Sequence, residues 1–127
     1  MSGKPTIVCI EDEEEMINLI RLILARHGYE VIGALGGRLG IKTVSEVKPD
    51  LVLLDLMMPE VDGWAVLQRM RADEATRGIP VVIVTAKASE LDRIFGLEVA
   101  RVECYITKPF GPRELVKCVQ DALKPRS

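Results

Sequence analysis

Pro49-Asp50-Leu51-Val52-Leu53-Leu54-Asp55-Leu56-Met57-Met58-Pro59 contains an apolar run that halts at a carboxylate and is closed by a proline. An apolar run this short, bounded by turn formers, reads as a strand buried on both faces, which is the signature of a parallel sheet covered by helices. Lys48-Pro49-Asp50 marks the stop before it. On either side, β-branched apolar runs over 6–10, 31–34, 81–85 and 104–107 predict four companion strands to the one over 51–55.

The segments between these runs carry helical spacing. Met16, Ile20, Ile23, Leu24 and His27 share one face, as do Leu115, Val116, Val119, Ala122 and Leu123. Pro112 suits the first turn of the last helix, and Ser89 with Asp92 reads as a capping box opening another. Strands and helices alternate strictly, and the crossovers are long enough to hold helices. The strands are therefore expected to be parallel and right-handed in connection. The expected fold is α/β: a doubly wound five-stranded parallel sheet, order 2-1-3-4-5, with five flanking helices. Gly36-Gly37-Arg38-Leu39-Gly40 lacks the Lys-Ser/Thr ending of a phosphate loop and does not follow the first strand; a flexible start to the second helix is expected there.

Length and composition set bounds on function. The 127 residues, 48% hydrophobic and 28% charged with net charge -2, predict one domain over 1–127 with its core at about 5–124. They argue against extended disorder and against a basic nucleic-acid surface, so no direct nucleic-acid contact is expected. No apolar run approaches a membrane span, and Met1-Ser2-Gly3-Lys4-Pro5 leads into no signal core, so a cytoplasmic chain without membrane attachment is expected. Cys9, Cys104 and Cys118 fit no metal spacing and read as buried or half-buried thiols in a reducing compartment.

Ligands of an open α/β sheet bind beyond the carboxyl ends of its strands. Strand one ends in Glu11-Asp12, strand three in Asp55, strand four in Thr85 and strand five in Thr107-Lys108-Pro109. In the expected order these ends are neighbours, which gathers three carboxylates, a hydroxyl and an ammonium. Three carboxylates in one cleft repel unless a cation joins them, and hard oxygens without His or Cys favour Mg²⁺, with Mn²⁺ as a substitute. Asp55 is the candidate nucleophile, able to form an acyl phosphate. Lys108 offers a point charge for the phosphoryl group, and the Thr85 hydroxyl a hydrogen bond. Each residue alone has a plainer reading: an acidic helix start at Glu11–Glu15, a turn former at Asp55, a strand-end threonine, a common Lys-Pro loop pair. Their convergence on one edge is what favours the functional reading.

Ile10-Glu11-Asp12, the stretch from Pro49 to Pro59 with Asp62-Gly63, Val84-Thr85-Ala86, and Tyr105-Ile106-Thr107-Lys108-Pro109-Phe110 together resemble the receiver domain of two-component response regulators, across nearly the whole chain. The resemblance implies that Asp55 receives a phosphoryl group from a histidine kinase or phosphotransfer protein. It implies that the backbone carbonyl of Met57 is a metal ligand, that the Lys108–Pro109 bond is cis, and that Thr85 and Tyr105 form a switch pair. It further implies that Met57 and Lys87 tune the lifetime of the phosphoryl group. The readout is then the face of the fourth helix, fifth strand and fifth helix, through which a phosphorylation-dependent homodimer is expected.

One segment departs from the pattern. Where the family often has Gly-Ala-Asp-Asp before the aromatic of strand five, this chain has Arg101-Val102-Glu103-Cys104, with one extra residue after Gly96-Leu97-Glu98. That bears on the dimer contacts. Trp64 is expected to pack, and His27, far from the site, is not expected to carry phosphate. Two other functions compete. An aspartyl phosphatase would carry a second aspartate two residues after the first, where this chain has Met57, so the chain is not read as an enzyme. A phosphorylation-independent binding module would have lost Asp55, Lys108 or the acidic pair, and all are present.

Overall fold

The computed structural model describes residues 3–87 and 89–124. Met1 and Ser2, which head the polar N-terminal segment, lie outside the described residues, as does the chain end at Ser127. In chain order the elements are β1 (Thr6–Glu11), α1 (Glu14–Ala25), β2 (Glu30–Leu35), α2 (Gly37–Val47), β3 (Leu51–Leu54), α3 (Gly63–Ala72), β4 (Val81–Thr85), α4 (Glu90–Ile94), β5 (Cys104–Thr107) and α5 (Pro112–Ala122). All strand pairs are parallel and the sheet order is β2-β1-β3-β4-β5.

Burial follows from the apolar runs. Every residue of β3 and β4 is buried, as both faces of a central parallel strand must be. One core layer places Val8, Ile10, Val52, Leu54, Val81 and Ile83 under α2 and α3. The other packs Ile7, Cys9, Leu51, Leu53, Val82 and Val84 against α1 and α5. α1 buries Ile17, Ile20 and Leu24 and stops at Ala25, so His27 is exposed in the following turn and not on the helix face as the spacing predicts. α5 starts on Pro112 and buries Leu115, Val116 and Val119. Ser89 Oγ accepts the Asp92 N–H at 3.1 Å, the expected cap of α4.

Two expectations are corrected. The glycine-rich start of α2 is a close-packing device: a Cβ at Gly40 would stand 2.6 Å from the Ile10 side chain, and one at Gly37 would meet the Val61 carbonyl. Small residues here let α2 lie against β1. The cysteines are not three free thiols either. Cys104 on β5 and Cys118 on α5 are joined as a disulfide, because the packing of α5 beside β5 brings their Cα atoms to 6.1 Å. Cys9 is the free, buried cysteine.

The extra residue after Gly96-Leu97-Glu98 also has a structural outcome. Phe95–Val99 continues α4 as a π-helical turn, closed by the Ala100 N–H donating to the Phe95 carbonyl at 2.8 Å. A π turn closes over one residue more than an α turn, which is how an extra residue there would be accommodated. Arg101 follows at φ 55, a left-handed conformation that glycine adopts without steric cost. The Arg71 guanidinium of α3 holds the segment, donating to the Ala100 carbonyl at 2.8 Å and to the Arg101 carbonyl at 3.4 Å.

Candidate functional site

Glu11 closes β1 and Asp12 follows it; Asp55 follows β3; Thr85 closes β4; Lys108 follows β5. The topology thus brings the strand-end residues to one edge. Glu11, Asp12 and Asp55 each offer a carboxylate oxygen within 4.8 Å of the others. Asp55 is fixed by its backbone: its N–H donates to the Ile10 carbonyl at 3.0 Å, and its Oδ1 accepts the Met57 N–H at 3.0 Å. The loop after it returns through Asp62, whose side chain accepts the Ala65 N–H and caps α3. Gly63 lies so close to the Asp55 carbonyl that any Cβ there would collide with it.

Lys108 joins the carboxylates. Its Nζ lies 2.7 Å from Glu11 Oε1 and 3.1 Å from Asp55 Oδ2, with the lysine 14% exposed and the two acids nearly buried. Glu11 Oε2 accepts the backbone N–H groups of Asp12 and Glu13. Burial pushes the Glu11 carboxyl up to about 7; the Lys108 hydrogen bond pulls it back, and the neighbouring Asp55 charge adds to the rise. Burial alone would lower Lys108, but its bonds to Glu11 and Asp55 outweigh that and hold its pKa above the ordinary value. Burial, reinforced by the Glu11 charge, pushes the Cys9 thiol up to about 12. Crowded carboxylates of hard oxygen donors, partly balanced by one ammonium, suit a small divalent cation.

Thr85 and Tyr105, the pair expected to switch, stand on the neighbouring strands β4 and β5. Thr85 is fully buried, and its Oγ accepts the Lys87 N–H at 3.3 Å. Its carbonyl accepts the Lys108 N–H at 2.8 Å, tying β4 to the loop after β5. Tyr105 is 2% exposed; its hydroxyl donates to the Lys87 carbonyl at 2.8 Å, and Arg93 donates to its own carbonyl. Burial raises the Tyr105 phenol, with the Asp92 charge adding to it. Lys87 pairs with Asp92 at 3.5 Å, whereas Met57 is exposed. The Lys108–Pro109 bond is cis. The bridging of Glu11 by Lys108, and the Arg93 hold on β5, were not foreseen from the sequence. Nothing local in the sequence signals either.

A family model described as the response regulator receiver domain matches residues 7–120. The chain belongs to that family of two-component signalling proteins. It is 40% identical over 124 residues to the phosphate regulon transcriptional regulatory protein PhoB of Pseudomonas aeruginosa, covering 98% of this chain and 53% of that protein. It is 38% identical over 118 residues to the alkaline phosphatase synthesis transcriptional regulatory protein PhoP of Bacillus subtilis, covering 93% of this chain and 48% of that one. The chain thus spans about half the length of these relatives. Among solved structures, a putative response regulator from Chloroflexus aurantiacus superposes with a TM-score of 0.87 at 30% identity, covering 95% of this chain and 98% of that one. No helix among the described residues is long and apolar enough to cross a membrane.

Proposed function

We propose that this receiver domain is a phospho-accepting switch in which Asp55 takes a phosphoryl group from a histidine kinase or phosphotransfer protein. The observation that carries the reading is the Lys108 ammonium shared between Glu11 and Asp55 at the carboxyl edge of the sheet. An Asp55 carboxylate oxygen attacks phosphorus; the new bond is an acyl phosphate, and the bond from phosphorus to the donor's imidazole nitrogen breaks, with the pair leaving on nitrogen. Glu11, Asp12, Asp55 and the Met57 backbone carbonyl would hold Mg²⁺, or Mn²⁺ in its place. Bound there, the cation supplies charge neutralisation for the phosphoryl oxygens.

The chain's own residues do the rest. Lys108 turns from the Asp55 carboxylate to the arriving phosphoryl oxygens, which carry roughly 1.5 to 2 negative charges. The Thr85 hydroxyl exchanges the Lys87 N–H for a bond donated to the phosphoryl group. Tyr105, the partner whose ring is expected to turn inward, already holds a buried position with its hydroxyl on the Lys87 carbonyl. The phosphoryl group thereby favours one of two nearby conformations, and α4, β5 and α5 report the difference. Leu91, Ile94 and Val99 are exposed on or just after α4 and furnish apolar surface for a phosphorylation-dependent homodimer or an attached output domain. Lys87 and Met57 border the approach and would set how long the phosphoryl group lasts.

The test is intact mass after incubation with Mg²⁺ and acetyl phosphate, beside an Asp55→Asn control. A gain of one phosphoryl group, about 80 Da, that needs Mg²⁺ and is absent from the control is expected. No gain under conditions that modify a related receiver would sink the switch and leave a phosphorylation-independent binding module.

A further inference from the structure

Cys104 and Cys118 are separated by 14 residues in sequence and lie on different elements, β5 and α5. Their Cα atoms stand 6.1 Å apart, within the usual bridging range of about 4.4–6.8 Å. Both are half-buried at the rim of the core layer beneath α5, unlike a cysteine sealed inside it. Cys9 is a different case: it is 1% exposed on β1, and β3 and β4 lie between it and Cys104. One pairing is therefore built into the fold.

We infer that Cys104 and Cys118 form a reversible thiol–disulfide pair that fastens α5 to β5, made and broken by exchange with low-molecular-weight disulfides and thiols. The thiolate of one cysteine attacks a small disulfide; a mixed disulfide forms and one small thiol leaves. The second cysteine attacks the protein-side sulfur, and the second small thiol leaves. Two protein thiols are oxidised by two electrons, and one small disulfide is reduced to two thiols. The closed ring runs over 104–118 and contains Tyr105, Lys108 and Pro109. Oxidation thus constrains the aromatic of β5 and the lysine of the acidic cluster together. The effect on phosphoryl signalling rests on the switch reading above; the exchange itself does not.

The full chain is equilibrated in a series of reduced and oxidised glutathione ratios, acid-quenched, unfolded and alkylated with iodoacetamide. Three labels are expected at the reducing end and one, on Cys9, at the oxidising end. Cys104→Ser and Cys118→Ser each hold a mixed disulfide with glutathione at the oxidising end in place of the bridge. The melting temperature of the oxidised wild type should exceed that of the reduced chain by on the order of 10 °C, a shift absent from both variants. Three labels at every ratio would overturn the pair, as would peptide mapping that places Cys9 in the bridge. A bridge that reduced glutathione does not reopen in the folded chain would overturn its reversibility. None of these readouts uses phosphate, so failure here and failure of the switch are told apart.

Discussion

Replacing Lys108 by methionine keeps the aliphatic stem and deletes the ammonium that Glu11 and Asp55 share. At 2.7 and 3.1 Å, the two pairs correspond to roughly 5–6 kcal/mol each of direct attraction at an effective dielectric near 20. Most of that is offset by the desolvation the lysine no longer suffers, so breaking a buried pair of this kind costs about 3–5 kcal/mol. Glu11 has a further relief. Its carboxyl is pushed up to about 7 even with Lys108 present, and rises further without it, so a proton can replace the lost cation. The expected loss is therefore about 2–3 kcal/mol at pH 8 in EDTA, and smaller at pH 6, where Glu11 is protonated. Urea unfolding followed by the fluorescence of Trp64, which packs edge-on to Phe95 at 5.0 Å, measures it. Mg²⁺ should then stabilise the variant more than the wild type, because the emptied cleft is more negative. A variant within about 0.5 kcal/mol of wild type in EDTA, or one that Mg²⁺ helps no more than wild type, would refute the view that Lys108 balances the carboxylates.

Glu11→Gln tests the same cluster from the acid side. A carboxyl raised to about 7 in the fold, from 4.5, contributes stability that is present below about pH 4.5 and lost as pH rises through about 7. In EDTA, the difference between variant and wild type should therefore shift toward the glutamine by a few kcal/mol across that window; parallel curves would refute the burial of a charged Glu11. Arg71→Ala removes the donor that holds the Ala100 and Arg101 carbonyls. It should cost about 1–2 kcal/mol in urea unfolding and speed amide exchange at Val102, whose N–H donates to the Gly96 carbonyl. Arg101→Gly relieves a left-handed residue at φ 55 and should gain roughly 0.5–1 kcal/mol, read as a raised urea midpoint.

The sheet was legible because its central strands are buried on both faces and are written almost wholly in apolar residues. Leu51–Leu54 and Val81–Thr85 matched to within a residue. The gathering of Glu11, Asp12, Asp55, Thr85 and Lys108 followed from strand order, since residues at the ends of neighbouring parallel strands have nowhere else to go. What the sequence hid depends on distance in three dimensions. Cys104 and Cys118 read as separate thiols until α5 was laid beside β5. Gly37 and Gly40 read as flexibility because the Val61 carbonyl and the Ile10 side chain they accommodate lie far along the chain. The π turn over Phe95–Val99 was not legible either, because a bulge, a longer loop and a shifted strand fit the same length of chain.

An α-helix lengthened by one residue turns everything beyond the insertion by about 100° around its axis. The wide turn over Phe95–Val99 avoids such a rotation here: Gly96 is buried, Leu97 and Ala100 rest against the core, and Phe95 and Val99 are exposed. The wide turn therefore sets the contour beside β5 that any partner of this face would meet, with Phe95 and Val99 as its exposed apolar points.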